Sequence, residues 1–255
     1  MSKIRNSDGR PLTARSVVLS VLLGSDPPQL PVLLLVRTTE LFGIAEGTTR
    51  TALSRMAANG EVRSVDGVYE LAGDALLARQ ARQTASRAGT TDAWRGDWTQ
   101  AVIGVDGPRP ADERAALRET LRAARLAEVR EGVWLRPDNL GPAPVAEGAL
   151  WFRTTPAEPE PLTRRLWDLD AWSAAAVELC EAMARLVAPL ERGDRTALAE
   201  GFVLSAAVLR QFQADPLLPD ELLPARWPGT RLRNDYDRYD AAYRRVLRDW
   251  FAEQR

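Results

Sequence analysis

Apolar positions along this chain recur at helical spacing or alternate at strand spacing, and short Pro- or Gly-containing breaks separate the runs. Thr13 to Leu23 (TARSVVLSVLL) is largely apolar, with Thr13 placed to cap a helix. Val32 to Phe42 (VLLLVRTTELF) follows Pro27, Pro28 and Pro31. Arg37, Thr38 and Glu40 interrupt it, so it is too short for a membrane span. The next helix is expected to begin near Ala45 or Glu46, to run to about Asn59, and to stop at Gly60. At about 100° per residue, Thr49, Leu53, Met56 and Ala57 gather on one face. Thr48, Thr51 and Arg55 point the other way, with Ser54 beside them. Val62 to Val65 and Val68 to Leu71 read as two strands. The Asp66-Gly67 pair between them suits a type I′ turn, which needs φ > 0 at both central positions.

The rest of the chain alternates and then turns helical. Ala75 to Arg87 reads as a polar helix and Ala88 to Asp92 as a linker. Three strands are expected: Trp98 to Val105, a second that begins at Ala127 to Val129 and continues after Gly132 as Val133 to Leu135, and Ala149 to Arg153. Asp112 can cap a helix running to about Arg125. From Pro161 the pattern is helical, with a long element from Leu169 to Leu190. A second, Arg195 to Gln213, carries Leu198, Phe202, Ser205 and Leu209 on one stripe. Asn234 to Glu253 closes the chain, with Tyr236, Tyr239, Tyr243, Val246, Leu247 and Trp250 on one stripe that is expected to form core or dimer contacts. The fold class read from this order is α+β and multidomain. It comprises a winged helix-turn-helix over 1–75, a linker helix over 76–92, a ferredoxin-like domain over 93–160 and an α-helical C-terminal domain over 161–255.

Composition narrows the chemistry. Histidine is absent and cysteine occurs once, at Cys180. These two facts remove Ser-His and Cys-His nucleophile systems, thiolate zinc sites and intrachain disulfides. Cys180, among apolar neighbours at helical spacing, reads as a buried, inert thiol. No phosphate-cradling Gly-rich motif is present. The expected assignment is therefore a non-enzyme without cofactor or metal. The N-terminal stretch lacks the apolar region of a secretory signal, and a cytoplasmic location is expected. The net charge is −1, but its distribution is uneven. Residues 1–88 hold eleven Lys and Arg against eight Asp and Glu, the only third of the chain with a positive surplus. Lys3, Arg5, Arg10 and Arg15 contribute to it, and such an arm could track a phosphate backbone.

Several segments carry a family resemblance. Gly43-Ile44, Arg50-Thr51-Ala52-Leu53-Ser54-Arg55-Met56 and Gly60 resemble the DNA-binding helix of the PaaX family, bacterial repressors of phenylacetic acid catabolism and their relatives. Trp94-Arg95-Gly96-Asp97-Trp98 and Gly132-Val133-Trp134-Leu135-Arg136-Pro137 resemble landmarks of that family's middle domain. Trp167-Asp168-Leu169-Asp170, the segment Asp215 to Pro224, and Trp227-Pro228-Gly229 resemble landmarks of its C-terminal region. The chain departs from the pattern at Ala45, where a capping side chain is usual, and at Gly47. It also lacks the histidine-containing stretch that relatives carry near Leu204 to Arg210.

The resemblance implies a DNA-binding transcriptional repressor that acts as a homodimer on a double-stranded operator, with no membrane partner. A small organic effector, such as the aromatic acyl-CoA phenylacetyl-CoA, would release it. Arg55 and Thr51 are the best base-reading candidates, since arginine can bond guanine in a bidentate fashion and a threonine methyl can touch thymine. Thr48, Thr49 and Ser54 complete the helix set. Arg50 suits a phosphate or a bracing role, and Arg63 on the hairpin suits a phosphate. For the effector, Trp98 and Trp134 could supply apolar walls and Arg136 a positive charge. Two alternatives stand beside this reading. One is a ferredoxin-like, metal-dependent nuclease using Asp97 or Asp106. The other is a protein-interaction module that binds no DNA.

Overall fold

The computed structural model describes residues 12–104, 110–142 and 146–254. They form two compact units, one made of residues 1–87, 176–213 and 229–255, the other of residues 88–175 and 214–228. The fold is mixed α/β, with two small sheets and a helical C-terminal region.

The first unit opens with α1 (Ala14–Gly24), capped by a reciprocal pair of bonds between Thr13 and Ser16. Helix α2 (Val32–Glu40) and helix α3 (Glu46–Ala58) follow. Leu19, Leu22, Leu35, Leu53 and Met56 interdigitate in one core, closed from below by Val62 and Leu71. Helix α3 ends in a Schellman arrangement. Gly60 at φ +70° lets Glu61 N–H donate back to the Met56 carbonyl at 2.9 Å and Gly60 N–H to Ala57 at 3.0 Å. Strands β2 (Val62–Val65) and β3 (Val68–Leu71) then pair with Val65 opposite Val68. Both turn residues, Asp66 and Gly67, have positive φ, as a type I′ turn requires. The sheet has a third strand that the sequence pattern did not suggest: β1 (Gln29–Pro31) pairs antiparallel with β3. Its three residues lie among prolines and show no alternation, so only the partner strand defines it.

Helix α4 (Asp74–Ala88) leads out of this region. In the second unit β4 (Trp98–Ile103), α5 (Ala111–Ala123), β5 (Ala127–Arg130), β6 (Val133–Pro137) and β7 (Ala149–Thr154) form an antiparallel sheet in the order β5-β6-β4-β7. Leu117 and Leu121 of α5 pack on Ala101 and Trp134. Residues 105–109, which include the expected end of the first strand and Asp106, lie outside the described residues, as do Lys3, Arg5 and Arg10.

Helices α6 (Pro159–Leu166), α7 (Leu169–Glu191), α8 (Leu198–Ala214) and α9 (Gly229–Ala252) complete the chain. Helix α9 begins five residues before the expected start. The segments 176–213 and 229–255 group with residues 1–87, so the helical C-terminal stretch does not stand apart as the expected 161–255 block. The physical reason is visible in α9. Asp240 accepts from Arg87 at 2.9 Å and from Arg244 at 2.8 Å, and Arg244 also donates to the Gly24 carbonyl at the end of α1. The tyrosine stripe of α9 is consumed within the chain as well. Tyr239 Oη donates to the Gly201 carbonyl at 2.6 Å, and Phe212 meets Tyr236 edge-on at 5.4 Å. Tyr236, Tyr239 and Tyr243 are therefore core, and the stripe is not an open face for a second copy. Cys180 is buried, and burial pushes its thiol up to about 11.

Candidate nucleic-acid interface

Helix α3 buries a narrow stripe and leaves the rest open. Leu53 and Met56 anchor it, while Thr48, Arg50, Thr51, Ser54 and Arg55 are exposed. Ala57, expected on the buried face, is exposed too, because it lies on the flank of a stripe only three residues wide.

Thr49 corrects the expected contact set. It is fully buried, and its Oγ1 lies 2.6 Å from Thr39 Oγ1. Thr39 donates to the Val36 carbonyl at 2.7 Å, which leaves it to accept from Thr49. The pair satisfies two buried hydroxyls and pins α2 to α3. Its side chain is unavailable to an outside partner. Thr51, in contrast, is exposed and donates to the Gly47 carbonyl at 2.8 Å. That bond occupies its one proton and leaves the methyl and an oxygen lone pair to present.

The charged groups fall into two kinds. Arg50 bonds Glu46 one turn back at 2.7 Å, Arg63 pairs with Glu70 across the hairpin, and Arg37 pairs with Glu40 at 2.8 Å. Each of these arginines already has a carboxylate. Arg55 has none among the described residues and stands in the last turn of α3. It shares a shallow concavity of about 550 Å³ with Thr48, Thr51 and Arg15. Arg15 is held there by a bidentate bond to Glu61, at 2.9 Å from Nε and 2.8 Å from Nη2. Its guanidinium is thus fixed in orientation, although the surface exposure of the pair makes it worth at most ~1 kcal/mol of stability. The start of α3 is bare. Ala45 offers no capping side chain, and a Cβ at Gly47 would meet nothing.

The expected effector residues do not converge. The register puts Trp98 opposite Pro137 and Ala101 opposite Trp134, so Trp98 and Trp134 face opposite sides of the sheet. Trp98 packs with Leu135, Leu169, Leu218 and Leu222, whereas Trp134 packs with the α5 leucines. Arg136 is 3% exposed and donates to the Gly141 carbonyl at 3.0 Å, while its Nε has no partner among the described residues. Burial lowers its pKa, offset in part by Asp138.

Comparison with known proteins decides the family. Residues 13–75 match the family model described as PaaX-like protein, and residues 167–253 match that of the PaaX-like protein C-terminal domain. The chain is a PaaX-like protein. A solved structure, the uncharacterized protein Rv0674 from Mycobacterium tuberculosis, is 41% identical to it with a TM-score of 0.70. The match covers 93% of this chain and 98% of that one. No curated protein matches. The N-terminal match spans α1 to β3, so this PaaX-like protein carries its family signature on the elements that present Arg55.

Sequence reasoning missed two features of the PaaX-like N-terminal region. The bond between Arg15 and Glu61 joins residues far apart in sequence, and no local pattern marks it. The Thr39 and Thr49 pair was hidden because threonine on a polar helix suggests contact. Only the helical period, which placed Thr49 beside Leu53, pointed inward. Asp97, the nuclease candidate, uses its carbonyl to accept from Trp94 Nε1 at 2.7 Å and from Asp138 N–H at 2.9 Å. Its carboxylate accepts from Thr155 at 3.3 Å. Among the described residues no three acidic or cysteine side chains gather as a metal site. No helix among them is long and apolar enough to cross a membrane.

Proposed function

We propose that this chain is a DNA-binding transcriptional repressor that inserts α3 into the major groove of an operator. The observation that carries the reading is the open face of α3, where Thr48, Thr51, Ser54 and Arg55 project from a helix whose opposite side is locked into a core. Arg55 is the base reader and Thr51 supplies a methyl for thymine. Arg50 braces Glu46 and neutralises the acid that would otherwise repel a phosphate near the start of the helix. The hairpin of β2 and β3 is the wing and Arg63 its phosphate contact. On this reading α1 to β3 form a winged helix-turn-helix and β4 to β7 with α5 a ferredoxin-like module. Membership of a regulator family supports both the repressor role and a setting in phenylacetic acid catabolism.

The repressor works as a homodimer in the cytoplasm, because two-fold proteins read paired half-sites. A small organic effector, an aromatic acid or its acyl-CoA thioester, releases it. Release requires tighter effector binding to the DNA-incompetent state. A tenfold loss of DNA affinity corresponds to about 1.4 kcal/mol of that difference. The test is footprinting of the full-length protein on the DNA upstream of its own coding sequence. Protection of two half-sites about 10 base pairs apart, or a multiple of that, is expected. Uniform, sequence-independent protection would end the operator reading.

A further inference from the structure

The α3 face that carries Thr48, Thr51 and Arg55 meets a second wall. The shallow concavity of about 550 Å³ runs the length of that helix, and the first turn of α1, with Thr13 and Arg15, closes its other side. Its lining holds two arginines and no carboxylate. Glu61 lies outside the lining, and its backbone is held twice. Its N–H donates to the Met56 carbonyl and its carbonyl accepts from the Ala72 N–H, both at 2.9 Å. The carboxylate takes the Nε and Nη2 edge of Arg15, at 2.9 Å and 2.8 Å. Arg15 has five N–H donors and spends two there. The Nη1 and Nη2 edge keeps three, and among the described residues they have no partner. The Glu61 side chain is 19% exposed and that of Arg15 56%, so the acceptor is the shielded partner and the arginine the open one.

An exposed ion pair adds little to stability. What this one does is aim a long side chain that would otherwise rotate freely. The edge it leaves open is the fork that bonds two phosphate oxygens at once. Dimensions decide which phosphate. The major groove is about 12 Å wide, and a helix with its side chains is about 10–12 Å across. An element packed on the flank of a groove-bound α3 therefore meets backbone and not bases. Helix α1 is such an element, joined to α3 through Leu19, Leu22, Leu53 and Met56. We propose that Arg15 clamps a DNA phosphate beside the bases read by Arg55, and that Glu61 is the positioning residue that aims it. The Thr48 hydroxyl, without a partner among the described residues, lines the same concavity and supplies a second donor. The clamp deepens the regulator reading and rests on it for the placement of α3 in the groove. It gives α1 a part in docking that no local sequence pattern marks.

The test is an anisotropy titration of the full-length protein on operator and on random-sequence DNA, at KCl from about 50 to 200 mM. Arg15→Gln is expected to bind operator several-fold more weakly at the low end, with a slope of log affinity against log salt less steep by about 0.9. Its deficit then shrinks about 3.5-fold across that range. Single-base variants of the operator should all lose equally, since a phosphate carries no sequence. Glu61→Gln is the sharper probe. It removes a negative charge beside DNA, which by itself tightens binding, yet the release of Arg15 is expected to weaken operator binding several-fold. The double variant should bind no more weakly than Arg15→Gln. Arg15→Lys, which keeps the charge but not the fork, should keep the slope and lose affinity. Unchanged slope in Arg15→Gln, or tighter binding by Glu61→Gln, would overturn the clamp. Should Glu61→Gln lower the urea midpoint, the slopes of Arg15→Gln and Arg15→Lys decide. The two claims fail separately. A wild type with no preference for operator sinks the regulator reading, and the slopes on random DNA still judge the clamp. Operator preference with equal slopes in wild type and Arg15→Gln sinks the clamp alone.

Discussion

Helices α3 and α9 both carry arginines on outward faces, yet they use them differently. On α9, Arg231 pairs with Asp235, Arg238 with Glu191 and Arg244 with Asp240, while Arg245 donates to the Glu191 carbonyl. These arginines meet acceptors of the chain itself, and Arg238, Arg244 and Arg245 tie α9 to α7 and α1, whereas Arg248 is exposed with no partner among the described residues. On α3, Arg50 is paired but Arg55 has no partner among the described residues, and Thr48, Thr51 and Ser54 around it are exposed. An arginine with a carboxylate partner is already part of the fold. One without a partner, on a helix held rigidly from behind, is free to meet a partner from outside. The contrast separates arginines committed to the fold from those left open by geometry, where composition treats them alike.

The comparison can be strained at both ends. The largest effect is expected at Asp240. Its removal in Asp240→Ala takes, among the described residues, one of Arg87's two carboxylates and the only carboxylate of Arg244, and should cost about 2–3 kcal/mol of stability, below the fully buried limit because both arginines are partly solvated. Urea denaturation reads this, and the folded fraction should keep its operator preference. Next comes Arg55→Ala, expected to cost ~1–3 kcal/mol of DNA affinity with no change in urea midpoint. A lowered midpoint would place Arg55 with the structural arginines. Thr49→Val deprives Thr39 of its buried donor and should cost ~1 kcal/mol of stability, read by thermal unfolding. It should leave the sequence preference intact, which a direct DNA contact would not. The smallest effect is expected at Arg63, whose charge is shared with Glu70. Arg63→Ala should lower the slope of log affinity against log salt by less than about 1, equally on operator and random DNA.

How much of this was legible in the sequence follows from the range of the interactions. The α3 and hairpin segment was readable almost to the residue, because helical period, the Gly60 stop and the Asp66-Gly67 turn are all local. The second sheet was read only in part: Ala127 to Leu135, expected as one strand, is two, β5 and β6, paired antiparallel across a turn at Gly132, whose φ of +78° reverses the chain. Strand β1 was not, since three residues among prolines become a strand only through pairing with β3. The grouping of α9 with the N-terminal region was not readable either. It depends on Arg87 and Asp240, 153 residues apart, and on Arg244 and Gly24, 220 residues apart. The tyrosine stripe correctly announced an apolar face but not its occupant, α8. Gly201 shows how close that contact is. A Cβ there would lie 2.8 Å from the Tyr243 ring and 3.0 Å from the Tyr239 hydroxyl. Within the candidate interface, residue type proposed Thr49 and packing removed it, while Arg55 stayed exposed as its helical position predicted.

The most direct test of the central claim is a binding titration of the protein and its Arg55→Ala variant against the operator and each single-base variant of one half-site. The account predicts that the wild type discriminates at one particular base pair by about 1–3 kcal/mol and that Arg55→Ala loses discrimination there alone, with random-sequence affinity nearly unchanged. A variant that binds every site as the wild type does, with the same preference at every position, would contradict it.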